Sequence, residues 1–169
     1  MKKLSILLVI LFSLVLVSCA SNNVKNEWSR EFYADTLEKS NITIVDNPEL
    51  RELFFEFNEE FFDNKLMVDY IGYTSINNLK QKNGMGYSLG HAFWHKNPNG
   101  RLICGVVLVK DKSIYPNANT TFKGVLIHEM IHLYFYQRSQ FNEEHGENFY
   151  KKVDEINKKS NNKYKVQYN

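Results

Sequence analysis

Two histidines and a glutamate form a pattern that can bind a metal ion and use it. The sequence reads His128-Glu129-Met130-Ile131-His132 inside a long apolar stretch. Residues four apart lie about 40° apart around a helix, so both imidazoles would project from one face toward a shared ion. Glu129 would lie beside that ion without binding it, where a carboxylate can take a proton from metal-activated water. The spacing is that of the HExxH zinc motif.

The apolar surroundings of this pentad favour metal binding over a purely structural role. A buried helix can carry one histidine whose hydrogen bonds are satisfied. Two histidines on one face beside a glutamate, with apolar residues all round, have a large burial cost unless something compensates it. A metal ion provides that compensation, so we expect His128 and His132 to be ligands and Glu129 to be the general base.

His145 is the predicted third ligand, because catalytic zinc typically has three protein ligands and one open position. It precedes apolar residues at helical spacing, namely Phe149, Val153 and Ile156. A helix hairpin that turns near Gln140 would bring His145 back toward His132. In the alternative, His145 only caps the last helix and the third ligand is one of three carboxylates, Glu143, Glu144 or Glu147.

His91 and His95 form a second pair with the same spacing, but on a predicted strand. Four residues along a strand span about 13 Å, too far for one ion to bind both. Either histidine could still line the cleft, or be an ordinary half-buried residue. Four side chains are candidates for hydrogen-bond donors to the transition state: Tyr134, Tyr136, His91 and His95.

Helix and strand signals surround these residues. Asn47-Pro48 predicts the start of a first helix, with Asp46 or Asn47 as its cap, that runs to about Asn64. Asn97-Pro98-Asn99-Gly100 predicts a hairpin, and the strand after it is apolar on both faces and so expected to be internal. The three predicted strands cover residues 68–75, 87–95 and 101–109.

The second half of the chain predicts two further helices. Asn119, Thr120 or Thr121 would cap the helix that carries the HExxH residues and ends near Arg138. A last helix is expected over residues 145–159, and the alternation over residues 163–168 suggests a short strand. The predicted fold class is α+β: an N-terminal helix, a small and mainly antiparallel three-stranded sheet, the HExxH helix and a C-terminal helix.

The first 18 residues predict export from the cytoplasm. Lys2 and Lys3 precede an uncharged apolar stretch, residues 4–17, that is shorter than a membrane-spanning helix. Leu16-Val17-Ser18-Cys19 then resembles the bacterial lipobox, in which the cysteine becomes the lipidated first residue. The alternatives are an ordinary cleaved signal and an uncleaved anchor.

We therefore expect a signal peptide over residues 1–18, a lipidated tether over residues 19–45 and one folded domain over residues 46–169. The protein would lie in the cell envelope, anchored by Cys19 to a bacterial membrane and facing outside the cytoplasm. With Cys19 linked to lipid, Cys104 would have no disulfide partner and would be a small buried apolar residue.

Charge gives no support for binding to nucleic acid. Without Lys2 and Lys3 the 21 basic residues become 19, equal to the 19 acidic residues. A net charge near zero provides no global attraction to a polyanion. The expected partners are a protein or peptide substrate and, through the lipid, a membrane.

Three segments together resemble the SprT-like domain, the family that includes the Spartan proteases. They are Phe57-Asn58-Glu59-Glu60-Phe61-Phe62-Asp63-Asn64-Lys65-Leu66, the HExxH pentad, and His145-Gly146-Glu147-Asn148-Phe149, which is similar to the family's HGxxF. The resemblance covers about residues 47–158. It implies a zincin-like fold and a zinc-dependent endopeptidase with His128, His132 and His145 as ligands and Glu129 as base.

Two differences from the family affect the expected substrate. Many SprT-like proteins carry a C-terminal zinc ribbon, and this sequence has no CxxC motif. The Spartan branch acts on protein crosslinked to DNA, whereas this chain has an export signal and no net positive charge after its removal. A role in DNA repair is therefore not expected.

The predicted function is that of an exported, lipid-anchored zinc endopeptidase. A binding lipoprotein that uses zinc only structurally is the alternative. Glu129 argues against that alternative, because a closed structural zinc site does not need a carboxylate beside the ion.

Overall fold

A computed structural model describes residues 46–79, 88–143 and 145–168, all within one unit of the chain, residues 44–169. The predicted signal peptide and tether, including Cys19, lie outside the described residues, as does Glu144. The described part is α+β. Its main elements are α1 (Pro48–Phe62), β1 (Tyr70–Thr74), β2 (Gly90–Lys96), β3 (Leu102–Val109), α2 (Phe122–Tyr136) and α3 (Glu147–Lys159).

Helix α1 begins where the sequence predicts and fills one side of the core. The side-chain oxygen of Asn47 accepts a hydrogen bond from the Leu50 N–H at 2.9 Å, and Pro48 takes the first helical position, where its missing N–H costs nothing. The helix ends at Asp63, whose φ of 54° is left-handed. Its buried residues are Leu50, Phe54, Phe57, Asn58, Phe61 and Phe62.

The sheet is mixed, and the expectation of a mainly antiparallel sheet was wrong. The strand order is β1-β3-β2, with β2 antiparallel to β3 and β1 parallel to β3. The predicted hairpin forms: the Asn97 side chain accepts from the Arg101 N–H at 2.8 Å, and Gly100 has a φ of 77°. β3 is central, as its apolar pattern predicts, and is fully buried from Cys104 to Val109.

Helix α2 packs against β2 and β3 and is buried on almost every side. Thr121 caps it by accepting a hydrogen bond from the Gly124 N–H at 2.9 Å. From Gly124 to Tyr136 every residue except Tyr134 is buried. Among the described residues, no helix is both long enough and apolar enough to cross a membrane.

The segment after α3 does not form the short strand that its alternation suggested. Residues 165–168 have no regular secondary structure and no strand partner in the described part of the chain. The hydroxyls of Thr120 and Thr121 donate to the carbonyls of Lys165 and Tyr164, at 3.0 and 2.6 Å. Side chains thus satisfy backbone groups that a neighbouring strand would otherwise satisfy.

Candidate metal centre

The structure brings the three histidines together. His128 and His132 project from adjacent turns of α2, and His145 approaches from the turn that precedes α3. The Nε2 atom of His128 lies 3.3 Å from Nε2 of His132 and 3.2 Å from Nε2 of His145. The three ring centroids form a nearly equilateral triangle with sides of 5.0, 5.2 and 5.0 Å.

The contact made by Nδ1 of His128 shows which of its two ring nitrogens carries the proton. Nδ1 lies 2.9 Å from the main-chain oxygen of Gln167. A carbonyl oxygen only accepts, so Nδ1 carries the proton and donates it to Gln167. Nε2 of neutral His128 then has a single lone pair, which cannot account for two N–N distances as short as these. A cation shared by the three rings would account for both distances.

The spacing of the nitrogens fits tetrahedral zinc. Zn–N bonds of about 2.0–2.1 Å at tetrahedral angles separate two ligand nitrogens by about 3.3–3.4 Å. The distances of 3.2 and 3.3 Å match that separation. No carboxylate or cysteine joins these histidines in the metal-binding group found among the described residues. The donor set is therefore three imidazoles, with the cleft side open.

Burial keeps the two histidines of α2 neutral. It lowers the pKa of His128 to about 4 and holds the pKa of His132 far below its usual range. Both rings are only 8 % exposed, so the charged forms lose most of their hydration. Neutral imidazole is the form that binds a metal, so these ligands need not lose a proton first at neutral pH.

The ring of Phe149 packs against all three histidine rings. Its ring centroid lies 4.9 Å from His128, 4.6 Å from His132 and 4.9 Å from His145, and the residue is fully buried. Sequence reasoning placed Phe149 on the inner stripe of α3 but did not expect contact with all three histidines. Close packing of this kind limits the movement of each ring.

Glu129 lies between α2 and the edge strand β2. The main-chain N–H of Ala92 donates to its carboxyl group, and burial raises its pKa to about 8. Gly90 provides the necessary space: a Cβ atom there would lie 2.8 Å from Oε1 of Glu129 and 2.8 Å from Cδ2 of Leu108. Gly90 was not identified from the sequence, because nothing local marks a strand glycine as a neighbour of a distant carboxylate.

His145 differs from its predicted setting. It was expected at the start of α3 on the buried stripe, but α3 begins at Glu147, and His145 is exposed. The stripe itself is buried at Phe149, Val153 and Ile156. His145 therefore reaches the other two histidines from a turn, so it is the ligand with the least support from packing.

Two of the three carboxylates considered as alternative ligands, Glu143 and Glu147, make other contacts in the structure. Glu143 accepts hydrogen bonds from the main-chain and side-chain nitrogens of Asn148, at 2.9 and 3.2 Å, and so caps the first turn of α3. Glu147 pairs with Lys151 at 2.6 Å on the surface. Neither belongs to the metal-binding group. Glu144 lies outside the described residues.

The metal-binding group opens into a cleft of about 560 Å³. One wall is β2, with Gly90, His91 and Ala92, and the other is α2. His145 and Gln167 also line it. His145, the exposed member of this group, thus lines a space large enough for part of an extended peptide.

Two of the four candidate donors line this cleft and two do not. His91 and Tyr136 are among its lining residues, and the Tyr136 ring stacks on His132 with an interplanar angle of 22°. Tyr134 packs against Phe62 and under the guanidinium of Arg138, and His95 is absent from the lining. His91 and Tyr136 are therefore the candidates that remain near the metal site.

The comparison with known proteins gives a family match. A family model described as SprT-like family matches residues 50–168. No curated protein and no solved structure matches the chain. The matched range contains the sheet, α2, α3 and all three histidines.

We predict that His145→Ala lowers metal binding and that Glu143→Ala does not. Loss of a ligand should weaken zinc binding by more than the roughly 10–100-fold typical for loss of an outer partner. Glu143→Ala should instead remove the cap of α3 and lower the free energy of unfolding by about 1 kcal/mol. Metal content after dialysis against a weak chelator and urea unfolding measure the two effects. Full zinc occupancy in His145→Ala would exclude His145 as a ligand.

Proposed function

The chain belongs to the SprT-like family, as its motifs predicted, and we propose that it is a zinc-dependent endopeptidase with a zincin-like domain. We further propose that it is exported and anchored by lipid at Cys19. One observation carries the enzymatic proposal: three imidazole nitrogens converge at a cleft beside a carboxylate on the same helix.

His128, His132 and His145 would hold the zinc ion. Three protein ligands with an open side are typical of catalytic zinc, whereas structural zinc has four. A zinc ion held there would supply a Lewis acid that polarises the scissile carbonyl and acidifies water. The exposure of His145 and the cleft beside it support an open rather than a closed site.

Glu129 would act as the general base and then as the general acid. Its carboxylate accepts a proton from the attacking water and delivers it to the amine nitrogen as the C–N bond breaks. Burial alone raises the pKa of Glu129 to about 8. A cation held by the three histidines would favour the carboxylate form, which is the form that can accept a proton. The Ala92 N–H donates to the carboxyl group and so fixes its direction.

Strand β2 is the element that would position the substrate. It is an edge strand of the sheet formed by the described residues and forms one wall of the cleft. An extended peptide can add to such an edge by main-chain hydrogen bonds. This mode binds peptides through groups that every residue has, which suits a protease acting on protein or peptide substrates.

We predict that Glu129→Gln abolishes cleavage and retains zinc. The amide is nearly the same size and can still accept from Ala92, but it cannot take a proton. General acid–base catalysis contributes about 10²–10⁴-fold, so the rate of casein or peptide digestion should fall by at least about 100-fold. The wild type, prepared and loaded with zinc in the same way, is the control. No cleavage by either protein would favour the binding lipoprotein instead.

We also predict that Gly90→Ala lowers activity without lowering zinc content. The new methyl group would lie 2.8 Å from Oε1 and 2.9 Å from Cγ of Glu129, and 2.8 Å from Cδ2 of Leu108, so both side chains have to move. A displacement of about 1 Å can reduce a rate by about 100-fold. Ser88→Ala, on the same wall of the cleft, adds no atom and should leave kcat/KM unchanged. Equal activity of both variants would contradict this role of Gly90.

The proposed lipid anchor predicts different outcomes for the two cysteines. Cys19→Ser should abolish incorporation of a labelled fatty acid and release the protein from the membrane fraction. Cys104→Ala is the matched control and should retain the label, because Cys104 is buried inside β3 at 2 % exposure. If Cys19→Ser is labelled like the wild type, the protein is not a lipoprotein at this position.

A further inference from the structure

We propose that residues 164–168 position the metal centre, and that the main-chain carbonyl of Gln167 holds His128 in its metal-binding orientation. The inference rests on the proposed zinc site, and it assigns a role to a segment that contributes no ligand. Gln167 acts through His128 and is therefore a positioning residue.

The contact between Gln167 and His128 is the kind that tunes metal ligands. The main-chain oxygen of Gln167 lies 2.9 Å from Nδ1 of His128, and both residues line the cleft. A second hydrogen bond of this type fixes which nitrogen is free, fixes the ring orientation and makes the free nitrogen more basic. Nδ1 of His132, by contrast, is buried and has no partner among the described residues. His128 is thus the ligand of α2 whose outer hydrogen bond is identified.

The segment is fixed to the start of α2. Thr121 donates its hydroxyl to the Tyr164 carbonyl at 2.6 Å, and Thr120 donates to the Lys165 carbonyl at 3.0 Å. Gly124 lets the segment approach closely, because a Cβ atom there would lie 2.2 Å from the Tyr164 oxygen. The backbone that carries Gln167 is therefore held against the same helix that carries His128.

The segment is also fixed to α3. Asn157 donates to the Val166 carbonyl at 2.8 Å and accepts from the Val166 N–H at 3.1 Å. The side chains of Tyr164 and Val166 are buried, at 3 % and 2 % exposure. Residues on both sides of Lys165 are thus anchored, which leaves the Gln167 carbonyl little freedom to move.

A left-handed residue directs these carbonyls. Lys165 has a φ of 52°, and its side chain is exposed. Successive carbonyls of a regular strand point to opposite sides. The left-handed conformation of Lys165 lets the carbonyls of Tyr164 and Lys165 both accept hydrogen bonds from the threonines before α2. The carbonyl of Gln167 then lies against Nδ1 of His128. A positive φ is energetically unfavourable for most residues other than glycine and asparagine.

Two truncations test the role of the carbonyl. A stop codon after Val166 removes the Gln167 carbonyl, and the Kd for Zn²⁺ should rise by about 10–100-fold. A stop codon after Gln167 leaves a terminal carboxylate whose oxygen can accept the same hydrogen bond, so the Kd should stay close to that of the full chain. Competition of each purified protein with a chromophoric chelator for Zn²⁺ gives the Kd. The absorption spectrum of the Co²⁺-loaded protein should change in the first variant and not in the second.

Gln167→Ala separates the carbonyl from the side chain. This variant keeps the main-chain oxygen but removes the two side-chain hydrogen bonds, to the carbonyls of Asn119 and Lys165 at 2.9 and 3.2 Å. Its Kd for Zn²⁺ should match that of the full chain. If Gln167→Ala weakens binding as much as the shorter truncation, the side chain and not the carbonyl matters, and the proposal is wrong.

A pair of substitutions at Lys165 tests the proposal in the full-length chain. Lys165→Gly accepts a positive φ, whereas a β-branched valine in Lys165→Val strongly resists it. Since the side chain is exposed, the two variants differ mainly in backbone preference. Lys165→Val should weaken Zn²⁺ binding and Lys165→Gly should not. A loss of thermal stability in the metal-free Lys165→Val protein, with an unchanged Kd for Zn²⁺, would show a purely structural role and overturn the proposal.

The outcomes for this inference differ from those for the proposed function. Equal Zn²⁺ affinity in the full chain and in the truncation after Val166 would overturn the role of Gln167 and leave the zinc site intact. A full chain that binds no Zn²⁺ would overturn the proposed function and this inference together. Cleavage assays are not needed for either decision.

Discussion

The cost of burying two imidazoles and a carboxylate in an apolar helix is the constraint on which the rest of this structure depends. His128, Glu129 and His132 are each less than 9 % exposed and lie on a helix that is buried almost all round. Burial shifts the pKa of each group toward its neutral form. Neutral polar groups still need partners in the interior. A shared cation would supply one partner to both rings and would favour the charged form of the carboxylate.

The same constraint explains why three distant segments meet at α2. The Ala92 N–H on β2 donates to Glu129, the Gln167 carbonyl accepts from His128, and His145 approaches from the turn before α3. Phe149 is fully buried and its ring contacts all three histidine rings. The helix thus gains hydrogen bonds and packing from elements before and after it in the chain. A substitution near Ala92, Gln167 or Phe149 can therefore alter the geometry of the site without replacing a candidate ligand.

Sequence reasoning could predict the parts of this arrangement that depend on local spacing. The four-residue interval of the histidines, the Asn47 cap and the turn at Gly100 are each set by a few adjacent residues, and the structure has all three features. The parallel pairing of β1 with β3 joins residues 35 apart in the chain, as in Gly72 with Val107, and no local pattern specifies it. The alternation in residues 163–168 was real, but side chains of α3 and of the turn before α2 satisfy that backbone instead of a strand.

Gly90 bears on whether the metal site is catalytic or structural. A structural site needs ligands and a closed shell, and it has no use for empty volume beside a carboxylate that does not bind the ion. Here β2 begins with a glycine, and a Cβ atom at Gly90 would meet Oε1 and Cγ of Glu129 as well as Cδ2 of Leu108. The missing side chain therefore leaves room for the carboxylate and for a methyl group of Leu108. With the Ala92 N–H aimed at the same group, the strand holds Glu129 in a defined place at the cleft, which is the arrangement that a general base requires.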